Sequence, residues 1–170
     1  MLGDYPSPRP RCSSNRYPIE YSSWTLDIEG NGILETAHKL GITIVAYSPL
    51  GRSFLTGQYK LIDDFDVTDF RQNYPHFSAE NFPKNLDLVC WFEELAKAKG
   101  GASLQLILTW VLAQGQDFIP IPGTRRLKYL KENVSAANIT LSEHELKEIR
   151  KAIDSIKIHG MQYPEAGMKS

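Results

Sequence analysis

The sequence predicts an α/β fold built on a parallel sheet. Two observations carry this expectation. Apolar, β-branched runs alternate along the chain with stretches of helical periodicity, which is the order of βαβ units. One of those runs, Ile42-Thr43-Ile44-Val45-Ala46-Tyr47, is almost unbroken in apolarity, as expected of a strand buried on both faces.

The elements follow in chain order. Residues 1–16 are rich in Pro, Ser, Arg and Gly and lack periodicity, so they read as a disordered leader or loop. Residues 19–24 are an apolar and aromatic run that predicts the first strand. Gly30 and Gly32 punctuate the chain before a helix. Ile33, Leu34, Ala37 and Leu40 recur at helical spacing, and Gly41 stands where a helix C-cap belongs. The strand at 42–47 runs into the loop signal Ser48-Pro49-Leu50-Gly51-Arg52. Residues 56–83 are polar and aromatic without a steady period, and a connection of that length is often functional. Leu88, Phe92, Leu95 and Ala96 mark one helix. Leu104, Ile107, Leu108, Val111 and Leu112 mark the next, with Ser103 near its start and Gly115 closing it. Residues 118–121 give a short third strand, and Pro122-Gly123-Thr124 is its turn. Leu127, Leu130 and Val134 predict a helix from about Arg125. Ser142 with Glu145 forms a capping box ahead of Leu146, Ile149 and Ile153. From His159 the tail reads as irregular.

Composition excludes several function classes. The chain has 170 residues, of which 42% are hydrophobic and 23% charged, as suits one soluble globular domain. A net charge of -1 supplies no field to steer it to nucleic acid or anionic lipid. No apolar run approaches the ~20 residues of a membrane span. Cys12 and Cys90 are too few for a disulfide-rich scaffold or a zinc site of several thiolates. The first residues lack a basic-then-apolar signal, so a cytoplasmic location is the expectation.

In parallel α/β folds ligands bind at the C-terminal ends of the strands. Two such ends stand out. In the first, Tyr47 could offer its ring to a planar ligand and Ser48 a hydroxyl to a phosphate. A core tyrosine followed by an ordinary turn has the same pattern. The second end is Ile121-Pro122-Gly123-Thr124-Arg125-Arg126, with Lys128 two residues on. Gly123 lets backbone approach a ligand, and Thr124 offers a hydroxyl that could also cap the following helix. Arg125, Arg126 and Lys128 crowd a helix start, where acidic residues are preferred. An anion such as phosphate, held by charge-assisted bonds, would account for them. A solvated basic helix face also would, and as a bare pattern it is the commoner case.

Other groups carry less. His38, His76, His144 and His159 lack metal-binding spacing. Asp63, Asp64, Asp66 and Asp69 lack the glycine and final glutamate of a calcium loop. Trp24, Trp91 and Trp110 could wall a substrate, although helical positions make Trp91 and Trp110 core candidates.

Three of these segments resemble one known family, the aldo-keto reductases. Ile19-Glu20-Tyr21-Ser22-Ser23-Trp24 followed by Leu26-Asp27-Ile28-Glu29 is similar to the sixth barrel strand. Residues 40–52, ending in Leu55-Thr56-Gly57, are similar to the seventh strand and its loop. Residues 118–128 with Glu132 and Asn133 are similar to the eighth strand and the start of the last barrel helix. The resemblance implies that residues 17–170 are the C-terminal part of a (β/α)8 TIM barrel, about strands 6 to 8 with their helices and the C-terminal helix. A complete barrel typically needs ~250 residues.

The resemblance also implies an NADP site and a small-molecule carbonyl substrate. In the family the tyrosine at Tyr47 stacks on the nicotinamide, and the groups near Ser48 and Leu50 meet the pyrophosphate. Gly123, Thr124, Arg125 and Lys128 would hold the 2′-phosphate, and Glu132 and Asn133 the adenine. The family's catalytic Tyr, Lys, Asp and His come from the first half of the barrel, which has no counterpart here. Pro18 stands where a glutamine normally holds the carboxamide. Tyr5, Tyr17 and Tyr21 are not assigned as the acid, because proton donation needs a partner that tunes the donor. The expectation is therefore a truncated NADP-dependent reductase, inactive alone. The alternatives are a non-catalytic nucleotide-binding or interaction half-barrel, associating with itself or another half-barrel, and a gene-model fragment.

Overall fold

Hydrophobic periodicity and turn chemistry set the elements, seen in a computed structural model that describes residues 15–163. The leader to residue 14, with Tyr5 and Cys12, and the tail from residue 164 lie outside the described residues. Strand β1 (Arg16–Glu20) leads to a short helix α1 (Asp27–Gly30), then α2 (Ile33–Leu40) and β2 (Thr43–Tyr47). Gly41 ends α2 at φ 63°, and its N–H closes the helix on the Ala37 and His38 carbonyls. Helices α3 (Phe82–Ala98) and α4 (Ser103–Leu112) precede β3 (Phe118–Pro120). Helices α5 (Leu127–Ser135) and α6 (Glu143–Ser155) follow. Ser142 and Glu145 cap α6 reciprocally, as the sequence predicts.

The sheet is parallel and three-stranded, in the order β1-β2-β3. Arg16 pairs with Thr43 and Ile44 with Phe118, which fixes the register. Side chains alternate between the two faces. Ile44, Ala46 and Phe118 enter the core beside Ile107 and Trp110 of α4. Tyr21 joins them, stacked on Trp110 at 5.9 Å and tilted against Phe118 at 5.0 Å.

Three sequence expectations change, and the long connection at 56–83 gains detail. The first strand is shifted, since β1 starts at Arg16 and ends at Glu20 rather than covering 19–24. Ser22 breaks it: its Oγ accepts from the Trp24 and Thr25 amides at 3.1 and 3.2 Å and turns the chain. Strand β2 is buried on one face only, because Thr43 and Val45 are half-buried and Tyr47 is exposed. Residues 56–83 are ordered through short 3-10 turns, with Phe65, Arg71 and Phe77 buried. Helix α5 starts at Leu127 and buries no residue.

Trp24 belongs to an aromatic core, and its remaining surface also lines a second cavity of about 530 Å³ with Asp27, His76 and Tyr163. It stacks on Phe54 at 4.5 Å and meets Phe77 edge-on at 5.6 Å. Among the described residues no helix is long and apolar enough to cross a membrane. Among the same residues no cluster of three or more His, Cys, Asp or Glu could hold a metal ion.

Candidate functional site

The C-terminal ends of β2 and β3 open into loops that face each other across a cavity of about 620 Å³. Leu50, Ser53, Thr56 and Gln58 contribute one wall, from the loop after β2. Gly123, Thr124, Arg125 and Arg126 contribute another, from the turn after β3. Tyr129 and Asn133 of α5 and Leu104 of α4 complete it.

The first loop has a forced shape. Ser48, Gly51, Arg52 and Ser53 all have positive φ, from 50° to 73°. Gly51 is required, because a Cβ there would lie 2.6 Å from the Trp24 ring. Phe54 and Leu55, fully buried, root the loop in the core. The second wall is held more lightly. Thr124 Oγ1 accepts from the Arg126 amide at 3.2 Å, closing a local turn before α5 rather than capping the helix itself.

Electrostatically the cavity rim is positive. Among the described residues neither Arg125 nor Arg126 is ion-paired with a carboxylate. A Cβ added at Gly123 would meet nothing within 4 Å, so the backbone there is open to a ligand. Two free guanidiniums, a hydroxyl and an exposed glycine backbone suit an anion.

Five residues singled out from the sequence line this cavity: Leu50, Gly123, Thr124, Arg125 and Asn133. The other four lie elsewhere. Lys128 projects from α5, 77% exposed, with the Glu132 carboxylate 3.9 Å away. Ser48 is half-buried in the turn leaving β2. Tyr47 ends β2 on the open face of the sheet, where its hydroxyl neighbours that of Tyr163. Ser53, Thr56, Gln58, Leu104 and Tyr129 were not singled out. Tyr129 had a signal, since it lies four residues before Asn133 on one helix face.

A second polar group sits beyond Tyr47. The Tyr163 hydroxyl donates to buried Glu20 at 2.9 Å, and Arg52 Nη2 lies 3.6 Å from the same carboxylate. Arg52 also stacks over the Tyr74 ring at 4.1 Å. Burial, the neighbouring Tyr47 hydroxyl and the bond with Glu20 push the Tyr163 hydroxyl far above its usual range. Tyr21 is pushed up too, first by burial and then by its 2.7 Å bond to Glu29. His76, stacked on Trp24 at 4.9 Å, is shifted down by burial and favours its neutral form.

The chain matches the Aldo/keto reductase family over residues 13–154. It belongs to that family. Aldo-keto reductase str7 of Strobilurus tenacellus is 54% identical over 144 residues, which is 84% of this chain and 43% of that relative. Aldo-keto reductase yakc [NADP(+)] of Schizosaccharomyces pombe is 49% identical over 173 aligned residues, covering 93% of this chain and 51% of the relative. The chain thus spans about half the length of the curated aldo-keto reductases it matches. Among solved structures it is similar to the glycerol dehydrogenase AKR11B4 from Gluconobacter oxydans. That match has a TM-score of 0.73 and 27% identity, over 86% of this chain and 44% of the other. It is also similar to the thermostable aldo-keto reductase Tm1743, with a TM-score of 0.57 and 28% identity, over 81% and 39% of the two chains.

Proposed function

We propose that this chain binds NADP(H) for an oxidoreductase that interconverts small-molecule carbonyls and alcohols. The observation that carries this is the cavity between the β2 and β3 loops, with two free guanidiniums on its rim. Its donors fit the phosphorylated adenosine end of the cofactor. Arg125 and Arg126 would bind the 2′-phosphate, with the Thr124 hydroxyl and the open backbone at Gly123 beside them. Leu50, Ser53 and Thr56 would lie along the pyrophosphate, and Tyr129 and Asn133 beside the adenine. Lys128 and Glu132 act from outside the cavity, as charge on the same helix. Tyr47, the last residue of β2, would present its ring to the nicotinamide. When bound, NADPH supplies the hydride.

In this reading β1, β2 and β3 are the sixth to eighth strands of a (β/α)8 barrel, and residues 17–170 form its C-terminal part. The parallel order and the TM-score of 0.73 support it. The 170-residue chain by itself is expected to reduce no carbonyl. A proton donor must have its pKa brought toward the working pH. Burial and the bonds with Glu29 and Glu20 drive Tyr21 and Tyr163 the other way, so neither of these two suits that role.

Two-dimensional amide NMR with 2′,5′-ADP tests the binding claim. Shifts are expected at Ser53, Gly123, Thr124, Arg125 and Asn133. Shifts confined to α3 and α6 would reject it. In the same preparation, NADPH with a panel of aldehydes is expected to show only the blank rate of oxidation.

An interaction role is a second reading, favoured by one observation. Leu127, Leu130 and Val134 form a stripe on α5 that is 67%, 48% and 64% exposed. Ile119 and Ile121 are exposed on and after β3, and among the described residues the outer edges of β1 and β3 are unpaired. Apolar surface and free edges of this kind invite association. Light scattering of the isolated chain is expected to give a dimer, and a well-behaved monomer would remove this reading.

A further inference from the structure

We propose that Arg71 is a positioning residue for the cofactor loop: it holds the strained turn at Arg52 and Ser53 in the shape that binding needs. The proposal rests on the NADP(H) reading of the cavity. Arg71 does not line that cavity, so it acts through the loop.

The guanidinium is buried and fixed on three sides. Its Nε and Nη2 fork onto the Asp69 carboxylate at 2.9 and 2.6 Å. Nη2 also donates to the Tyr59 hydroxyl at 2.9 Å. The Tyr59 and Phe65 rings lie 4.4 Å from its central carbon. The remaining direction is taken by Nη1, which donates to the Arg52 carbonyl at 2.8 Å. A planar fork held this way has little freedom left to lose when it grips a partner.

That carbonyl has an unusual position. It joins Arg52 and Ser53, two non-glycine residues at φ 55° and 73°. L-residues adopt this conformation at a cost, and it persists only where surrounding bonds enforce it. Among the described residues Arg71 is the one side chain outside residues 48–57 that hydrogen-bonds the backbone of this loop. Ser53 then turns into the cavity wall with Leu50 and Thr56. Without the grip on Arg52 the turn is free to relax, and the wall with it.

A double-mutant cycle tests the proposal, read by calorimetric titration of 2′,5′-ADP. Arg71→Lys keeps the charge and loses the fork. It is expected to weaken binding about tenfold, the scale of one charge-assisted hydrogen bond. In a Ser53→Gly background, where positive φ costs little, adding Arg71→Lys should weaken binding less than about twofold. Amide exchange of the free protein should also quicken at Phe54 and Leu55 and stay unchanged in α4. If Arg71→Lys does not fold, Asp69→Asn loosens the same fork and should show a smaller loss in the same direction. Unchanged affinity in a folded Arg71→Lys or Asp69→Asn, or equal losses in both backgrounds, overturns the positioning role. A wild-type chain that binds no 2′,5′-ADP overturns the cofactor reading itself, and the exchange measurement then still reports whether the clamp holds the loop.

Discussion

Reversing both rim charges, Arg125→Glu with Arg126→Glu, is expected to weaken NADP+ binding about a hundredfold or more while leaving the chain folded. Each charge-assisted bond to a phosphate is worth roughly 1.5–3 kcal/mol, or about ten- to a hundredfold in affinity. Reversal adds repulsion to that loss. The fold has no reason to suffer, because both residues are exposed ahead of α5 and, among the described residues, neither pairs with a carboxylate. Acidic groups at a helix start are favourable, so stability should hold or rise slightly. Binding lost with an unchanged melting curve therefore reports the site and not unfolding. The wild-type affinity should also fall with added salt, because surface charges are screened over ~8 Å at physiological ionic strength. Calorimetry on the double variant checks this, and wild-type affinity there would mean that the phosphate sits elsewhere.

The largest effect on stability is expected from Phe54→Ala. Phe54 is fully buried. It stacks on Trp24 at 4.5 Å and meets Phe77 and Phe82 edge-on at 5.6 and 5.1 Å. Truncating such a ring removes transfer energy and leaves a cavity, together about 3–5 kcal/mol. That is a large share of the ~5–15 kcal/mol that holds a domain folded. The melting temperature should fall by about 10 °C. The exposed Leu61 in the same region is the control, and Leu61→Ala should change stability by less than about 0.5 kcal/mol. Because Phe54 follows Ser53 directly, cofactor binding should fail with it. Urea denaturation of both variants measures the difference, and equal midpoints would refute the aromatic core as the root of the loop.

What the sequence made legible is local and periodic. The Ser142–Glu145 box, the Gly41 cap and the run Thr43–Tyr47 each carry their own short-range signal, and each forms where expected. The start of β1 does not, because Arg16 and Tyr17 become strand only by pairing with Thr43 and Ile44. The turns of residues 56–83 were also hidden. They depend on single carboxylates: Asp64 accepts from the Lys60 and Leu61 amides and Asp69 from that of Arg71, with no period to read. In α5 the apolar period was legible and its burial was not, since among the described residues no element covers Leu127, Leu130 and Val134.

The site divides in the same way. Gly123, Thr124 and Arg125 announced themselves as a glycine turn followed by cations at a helix start, a combination with a chemical reason. Ser53 and Thr56 reach the cavity only because the loop backbone takes positive φ at Arg52 and Ser53. Arg71 was invisible for a related reason. A buried arginine is recognised by its partners, and Tyr59 and Arg52 lie 12 and 19 residues away along the chain.

The central claim is that this chain grips the phosphorylated adenosine of NADP(H) between the β2 and β3 loops. The most direct test is calorimetric titration of the wild-type 170-residue chain with NADP+ and with NAD+, which differ only in the 2′-phosphate. The account predicts NADP+ binding about tenfold or more tighter than NAD+, the scale of one charge-assisted phosphate contact. Equal affinity for the two, or binding of neither, would contradict it.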